Sequence, residues 1–401
     1  MKVCAMAGGV TTPAGFTAAG VQAGIKASGA LDLAMIVADE PAAAAAIFTT
    51  NQVQAAPVQV SRDQIARSAG RVRAVVVNSG CANACTGARG MATARSTVQV
   101  AASLLGCPPE QVLVASTGVI GVHLDEAKVV AGIRAAVEAL GRDGEPAARA
   151  IMTTDLAPKS AAARVETPQG AFHVGGIAKG AGMIEPMMAT MLGFVTTDAA
   201  VSPALLDRAL REVADRTFNA ITVDGECSTN DTLMALASGA SGVTIDESLY
   251  PALVAGLESV CRALALAIVR GGEGATKLVA VRVTGAATRS DAVKAARTIA
   301  NSPLVKTAIH GADPNWGRLV AAAGRSGTRF VLERSLVEVG PVALFRDGQP
   351  FDEQAAAAAE YLRGAELDVH VDLGTGGPGE ATVWTCDLSA EYVRINGEYR
   401  T

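Results

Sequence analysis

The sequence predicts a layered α/β architecture, and three observations carry that prediction. Segments of helical period alternate along the chain with short runs rich in β-branched residues. Those runs are mostly continuous apolar stretches, the pattern of strands buried between layers. Half of the 401 residues are hydrophobic, enough to bury one large core and more readily two lobes. Neither a helical bundle nor an all-β sandwich fits that alternation.

The elements follow in order. RAVVVN (Arg73 to Asn78) and VLVAS (from Val112) read as buried strands, and DEAKVVAGIRAAVEALG, from Asp125, as an amphipathic helix. Lys179 to Leu192 is a Gly- and Met-rich segment, read as a loop that delivers Thr190 to the start of the strand LGFVTT. Ser202 and Pro203 open the helix PALLDRALREVADRT, because a serine hydroxyl can accept a first-turn N–H and proline fits the first turn. The most apolar helix, ESLYPALVAGLESVCRALALAI from Glu247, carries Glu258 and Arg262 and is read as buried, not as a membrane span. LVAVRVT, SDAVKAARTIA (from Ser290), DEQAAAAAEYLRG (from Asp352), DVHVDLG and TVWTCDL complete the alternation. No repeat and no Pro- or Ser-rich linker marks a domain boundary.

Composition narrows the function. Charged residues are 18% of the chain, the formal net charge is −5, and no basic stretch could neutralise a run of phosphates, so no nucleic-acid partner is expected. Seven dispersed cysteines, an odd number, suit free thiols in a reducing compartment, and no signal-like apolar run follows the N-terminus; the expectation is a cytoplasmic protein with no membrane partner. His123, His173, His310 and His370 lack metal-ligand spacing, so no metal is expected. Neither standard phosphate-binding glycine loop is present; no cofactor is expected, and no motif implies acetyl-coenzyme A.

A threonine hydroxyl is a poor nucleophile unless a base takes its proton, and chain cleavage can supply one by making the threonine's own amine free. Spacing alone leaves Thr190 an ordinary strand residue among methionines that fill a core. However, KGAGMIEPMMATMLGFVTTDA strongly resembles the nucleophile segment of the ornithine acetyltransferases of arginine biosynthesis, also called bifunctional glutamate N-acetyltransferases. GVTTPAGFTAAGVQAGIK, VVNSGCANACTG, VLVASTGVIG, IMTTDLAPK, FNAITVDGECSTNDT, GGEGATK, DPNWGRLVAAAGR and CDLSAEYVRINGEYRT resemble the same family, in family order across nearly the whole chain.

The resemblance implies a layered α/β sandwich like that of N-terminal-nucleophile hydrolases but distinct in topology. It implies self-cleavage between Ala189 and Thr190, giving an α chain of residues 1–189 and a β chain of residues 190–401 whose tail folds back to the site. Thr190 is then the nucleophile, and Thr117 and Gly118 form the oxyanion hole; Thr153, Lys179, Thr190, Glu273, Asn396 and Thr401 contact substrate. Read without it, the same residues are a turn after a strand, a solvated lysine, a glutamate in a Gly-rich turn and a frayed end. The implied reaction is ping-pong transfer of acetyl from N2-acetylornithine to glutamate, with acetyl-coenzyme A as donor left open, in a heterotetramer of two α and two β chains. Asp224, Asn230 and Asp231 are read as structural support, and the DPNWGR segment as a structured turn.

Met187 and Cys81 stand where the family usually has Asn, and Gly271 where Asp is common. Each change removes a polar group, and neither Met nor Cys is expected to hold a neighbouring loop by hydrogen bonding. Three alternatives follow: a paralogue with another acyl donor, a self-processing amidase or aminopeptidase, and an inactive binding protein.

Overall fold

The computed structural model describes residues 1–185 and 191–398. Ala189, Thr190, Met187 and Thr401 lie outside the described residues. The chain forms two compact units, one built of residues 1–219 and 226–268, the other of residues 220–225 and from 269 onward.

In the first unit the order is β1 (Lys2–Met6), β2 (Phe16–Val21), β3 (Leu33–Phe48), α1 (Ala56–Arg67), β4 (Arg71–Cys81), α2 (Gly87–Leu105), β5 (Val112–Val119), α3 (Glu126–Glu138), α4 (Glu145–Ala150), β6 (Lys159–Thr167), β7 (Gly170–Lys179), β8 (Leu192–Thr197), α5 (Pro203–Ala214) and β9 (Thr232–Ala237). α6 (Tyr250–Arg270) follows. Its length and composition would suffice to cross a membrane, yet 61% of its most apolar stretch is buried within the protein.

The strands form a nine-stranded sheet in the order β1-β6-β7-β8-β9-β3-β4-β5, with β2 on β3. β3 makes the sheet double back. Its ladder is interrupted between Val37 and Ala42, around Pro41; its first half pairs with β2 and β4 and its second with β9. Ile36, Val75, Val77 and Leu113 from one half share a buried core with Ile177, Phe194 and Met234 from the other. On the opposite face Met35, Val76 and Val114 pack under α1, α2 and α3. β4 and β5 are therefore buried on both faces, which is why they read as unbroken apolar runs, whereas β3 is broken by the exposed Asp39 and Glu40. α6 lies on the other half, where a Cβ on Gly256 would come 2.7 Å from Val165.

The second unit holds β10 (Leu278–Ala286), α7 (Arg289–Ala300), α8 (Pro303–His310), α9 (Trp316–Gly324), β11 (Leu336–Val339), β12 (Val342–Arg346), β13 (Gln349–Pro350), α10 (Ala355–Tyr361), β14 (Glu366–Asp372), β15 (Gly379–Cys386) and α11 (Ala390–Glu398). Its six strands run β13-β12-β11-β14-β10-β15, and residues of α7 and α9 close one core with Val281, Val337 and Val369.

The layered α/β prediction is borne out. LGFVTT is β8 from end to end, Ser202 caps α5 by accepting the Leu205 N–H, and Asp125 caps α3. α6 starts at Tyr250, three residues after the expected Glu247, because Asp246 accepts the Ser248 and Leu249 N–H groups in a turn first. The DPNWGR turn is a helix start, with the Asn315 side chain accepting the Arg318 N–H at the head of α9.

Candidate active site

The parallel register of β4 and β5 sets Ser79 beside Thr117 and Gly80 beside Gly118, with an irregularity at Cys81. Gly118 has φ 126°, and a Cβ there would stand 2.4 Å from the Gly80 carbonyl carbon. Conformation and close approach each demand glycine. Lys26 lies across this point: a Cβ on Gly80 would meet its Cγ at 2.9 Å. Asp32, fully buried, fixes the loop carrying Lys26 by accepting the N–H groups of Ala23, Ile25 and Lys26.

Lys179 ends β7 opposite Leu192, the first residue of β8, and its Nζ donates to Thr117 Oγ1 at 3.2 Å. Thr117, Gly118 and Lys179, all predicted, are thus brought together, and Leu192 opposite Lys179 follows Thr190 by two residues in the sequence. Asp155 connects Thr153 to them. Its carboxylate accepts the Thr153 N–H at 3.1 Å, the Gly180 N–H at 2.8 Å and the Lys159 ammonium. Burial alone would raise the Asp155 pKa, but Lys179, Lys159 and the Gly180 N–H together hold it below the usual carboxylate range. Burial lowers the Lys26 ammonium, against the opposing pull of Asp32 and Asp155 and with help from Lys179. Three lysines converge on Asp155 here, a local excess of positive charge suited to an anionic substrate group or an oxyanion.

Segment 227–231 braces the same point from β9. Asn230 Nδ2 donates to the carbonyls of Ala82 (2.7 Å) and Ser116 (2.8 Å), locking the exits of β4 and β5 together, and Thr229 Oγ1 donates to Asn230 Oδ1. Ser116 Oγ donates in turn to Asn78 Oδ1. Asp231 is 3% exposed, and its Oδ2 has no hydrogen-bond partner among the described residues.

Cys81 corrects one expectation. Its buried thiol donates to the Val122 carbonyl at 3.2 Å, so a cysteine in place of the family's asparagine still ties down a neighbouring loop. Burial raises the pKa of this thiol, which keeps it a donor.

In the second unit, Asn396 on α11 donates to Glu273 Oε2 at 2.8 Å, and Ser389 Oγ donates to the Gly274 carbonyl at 2.6 Å. Gly274, at φ 68°, would carry a Cβ 2.5 Å from the Tyr392 nitrogen. The C-terminal helix therefore packs on the GGEGATK turn within the second unit, joining Glu273 to Asn396.

Sequence reasoning missed Lys26 and Asp155. Lys26 ends the segment GVTTPAGFTAAGVQAGIK and Asp155 lies inside IMTTDLAPK, so membership of these family-like segments was the available signal. No cluster of three or more His, Cys, Asp or Glu side chains suited to a metal occurs among the described residues.

Comparison with known proteins agrees with this assembly. The model of the ArgJ family matches residues 17–401. A protein of Symbiobacterium thermophilum named arginine biosynthesis bifunctional protein ArgJ is 52% identical over 402 residues, covering 99% of each chain. One of the same name from Parasynechococcus marenigrum is 48% identical, covering 99% of this chain and 96% of its own. A crystal structure of an arginine biosynthesis bifunctional protein from Bacillus halodurans aligns with TM-score 0.51 and 42% identity, covering 52% of this chain and all of its own. This chain belongs to the ArgJ family.

Proposed function

We propose that this acyltransferase of arginine biosynthesis moves an acetyl group from N2-acetylornithine to glutamate through an ester on Thr190. The supporting observation is the Lys179 ammonium held on the Thr117 hydroxyl beside Gly118, on the strand end that runs toward residue 190. Cleavage between Ala189 and Thr190 first divides the chain into residues 1–189 and 190–401. The solved Bacillus halodurans chain spans about half of this one, the share expected of either product.

Thr190 Oγ, its proton taken by the freed amine, then attacks the acetyl carbonyl. Negative charge develops on that oxygen, and the Thr117 hydroxyl and Gly118 N–H stabilise it, each worth roughly 3–4 kcal/mol. Ornithine leaves. Glutamate enters the same pocket, its amine attacks the ester, and N-acetylglutamate departs with Thr190 restored. Thr153, Lys179 and Thr401 hold the carboxylate end of either amino acid, and Glu273, fixed by Asn396, takes the ornithine ammonium. The enzyme works in the cytoplasm as a heterotetramer of two α and two β chains.

Intact mass spectrometry tests this reading. Thr190→Ala protein stays a single chain of 40.5 kDa and transfers no acetyl group. Normal transfer by that variant would remove Thr190 from the mechanism, and free acetate without N-acetylglutamate from the unaltered enzyme would make it a hydrolase.

A further inference from the structure

We propose that His310 is a positioning residue for the acyl donor: through the Asp387 carboxylate it sets where Glu273 meets the side-chain ammonium of N2-acetylornithine. This role rests on the reading of Glu273 as the group that takes that ammonium.

The segment around Glu273 cannot hold its own shape. Gly271, Gly272 and Gly274 are three of its four nearest neighbours in the chain, and Gly274 has φ 68°. Chain of this kind has wide conformational freedom, so its geometry comes from contacts made by other segments. Asn396 donates to Glu273 itself, and Ser389 to the Gly274 carbonyl. The remaining anchor is Asp387, buried just after β15. Its Oδ1 accepts the N–H groups of Thr276 at 2.7 Å and Lys277 at 2.9 Å. Its Oδ2 takes the Thr276 hydroxyl at 2.6 Å and lies 2.6 Å from His310 Nδ1. Thr276 follows Glu273 by three residues, so this carboxylate fixes the far side of the turn that carries Glu273.

Three of those four contacts belong to the turn itself. The fourth comes from another element, for His310 is the last residue of α8, and Lys277 Nζ donates back to the Ile309 and His310 carbonyls there. A carboxylate turns readily about its Cβ–Cγ bond, and a donor from a separate helix fixes the plane in which it faces Thr276. Burial alone would raise the Asp387 pKa, but the Thr276 hydroxyl, His310 and the N–H groups of Thr276 and Lys277 hold it below the usual carboxylate range. An ionised Asp387 has no proton to give, so His310 Nδ1 is the donor. The His310 side chain is 42% exposed; it fills no core, and what it supplies is this hydrogen bond.

The two substrates differ in their need for the arrangement. The α-nitrogen of N2-acetylornithine is acylated, so its side-chain ammonium is the one positive charge the donor carries. Glutamate has no such charge on its side chain. A displaced Glu273 therefore weakens capture of the donor and not of the acceptor. In a ping-pong reaction kcat/KM for each substrate reports its own half-reaction, so the two effects are read separately.

The test compares full-length His310→Leu, His310→Asn and Glu273→Gln with the unaltered enzyme, with thermal melts to confirm folding. Leucine removes the donor, whereas asparagine returns an N–H close to where Nδ1 stood. Expected for His310→Leu is a kcat/KM for N2-acetylornithine at least ~10-fold lower, with that for glutamate within about twofold, and recovery of most of the loss in His310→Asn. Glu273→Gln should show the same one-sided loss, and a larger one. Given that result, an equal loss in both half-reactions of His310→Leu, no loss in either, or no recovery in His310→Asn overturns the positioning role. Any other pattern in Glu273→Gln defeats the reading of Glu273 instead, and the proposal with it. Should His310→Leu fail to fold, Thr276→Val decides: it removes the hydroxyl donor to the same Oδ2 and must give the one-sided loss, and kinetics like those of the unaltered enzyme overturn the proposal.

Discussion

At the scale of single residues, Asp155 shows how one buried charge organises a site. It has three donors from separate positions: the N–H of Thr153, the N–H of Gly180 and the Lys159 ammonium. Asp155→Asn keeps the volume but leaves Lys159 and Lys179 facing an uncharged group, and breaking a buried pair of this kind costs roughly 3–5 kcal/mol. The sign with pH follows from the depressed pKa in the fold. The stabilisation is present above the ordinary carboxylate value and is lost as pH falls through the lower folded value. Urea unfolding of both proteins should therefore show a wide gap at neutral pH that narrows in acid; a gap independent of pH would mean that the charge does not contribute. Thr117, Gly118 and Lys179 were legible through the motifs that contain them. Asp155 was not, since an aspartate in TTDLAPK reads as a turn former until the fold shows it sealed between lysines.

At the scale of elements, legibility depended on how openly a segment declares its period. Ser202 with Pro203 announced α5, and the valine runs announced β4 and β5. The run Ala42 to Phe48 did not announce β3, because alanine favours helices in isolation and becomes a strand residue only where two sheet halves approach closely. What holds the strand ends is less visible still. Asn230 spans the carbonyls of Ala82 and Ser116, so it fixes the exits of β4 and β5 relative to the start of β9. Asn230→Ala leaves two carbonyls unpaired and should destabilise the protein by roughly 2–4 kcal/mol. It should also lower kcat for acetyl transfer more than it raises KM, since it loosens Thr117 and Gly118 without removing a group proposed to bind substrate. Unchanged kcat with ordinary stability would show that the oxyanion segment holds its shape without this brace.

At the scale of the whole molecule, the proposed cleavage point and the compact units do not coincide, and that has a consequence. Residues 1–219 belong to one unit, so a cut after Ala189 falls inside it, between neighbouring antiparallel strands β7 and β8. β8 and β9, from the C-terminal product, are inserted between β7 and β3, from the N-terminal product. Each product therefore keeps its sheet only by pairing with the other along two ladders, and Phe194 and Met234 complete a core whose other half includes Ile36 and Val77. The two products should co-purify and unfold in one transition in urea, with no range of denaturant in which they separate while either remains folded. Expressed alone, residues 1–189 would expose β7 and the second half of β3 as unpaired edges, and should be insoluble or unfolded until residues 190–401 are supplied. A soluble, cooperatively folding 1–189 fragment would show that the sheet closes without β8 and β9, against the strand order that places them at its centre.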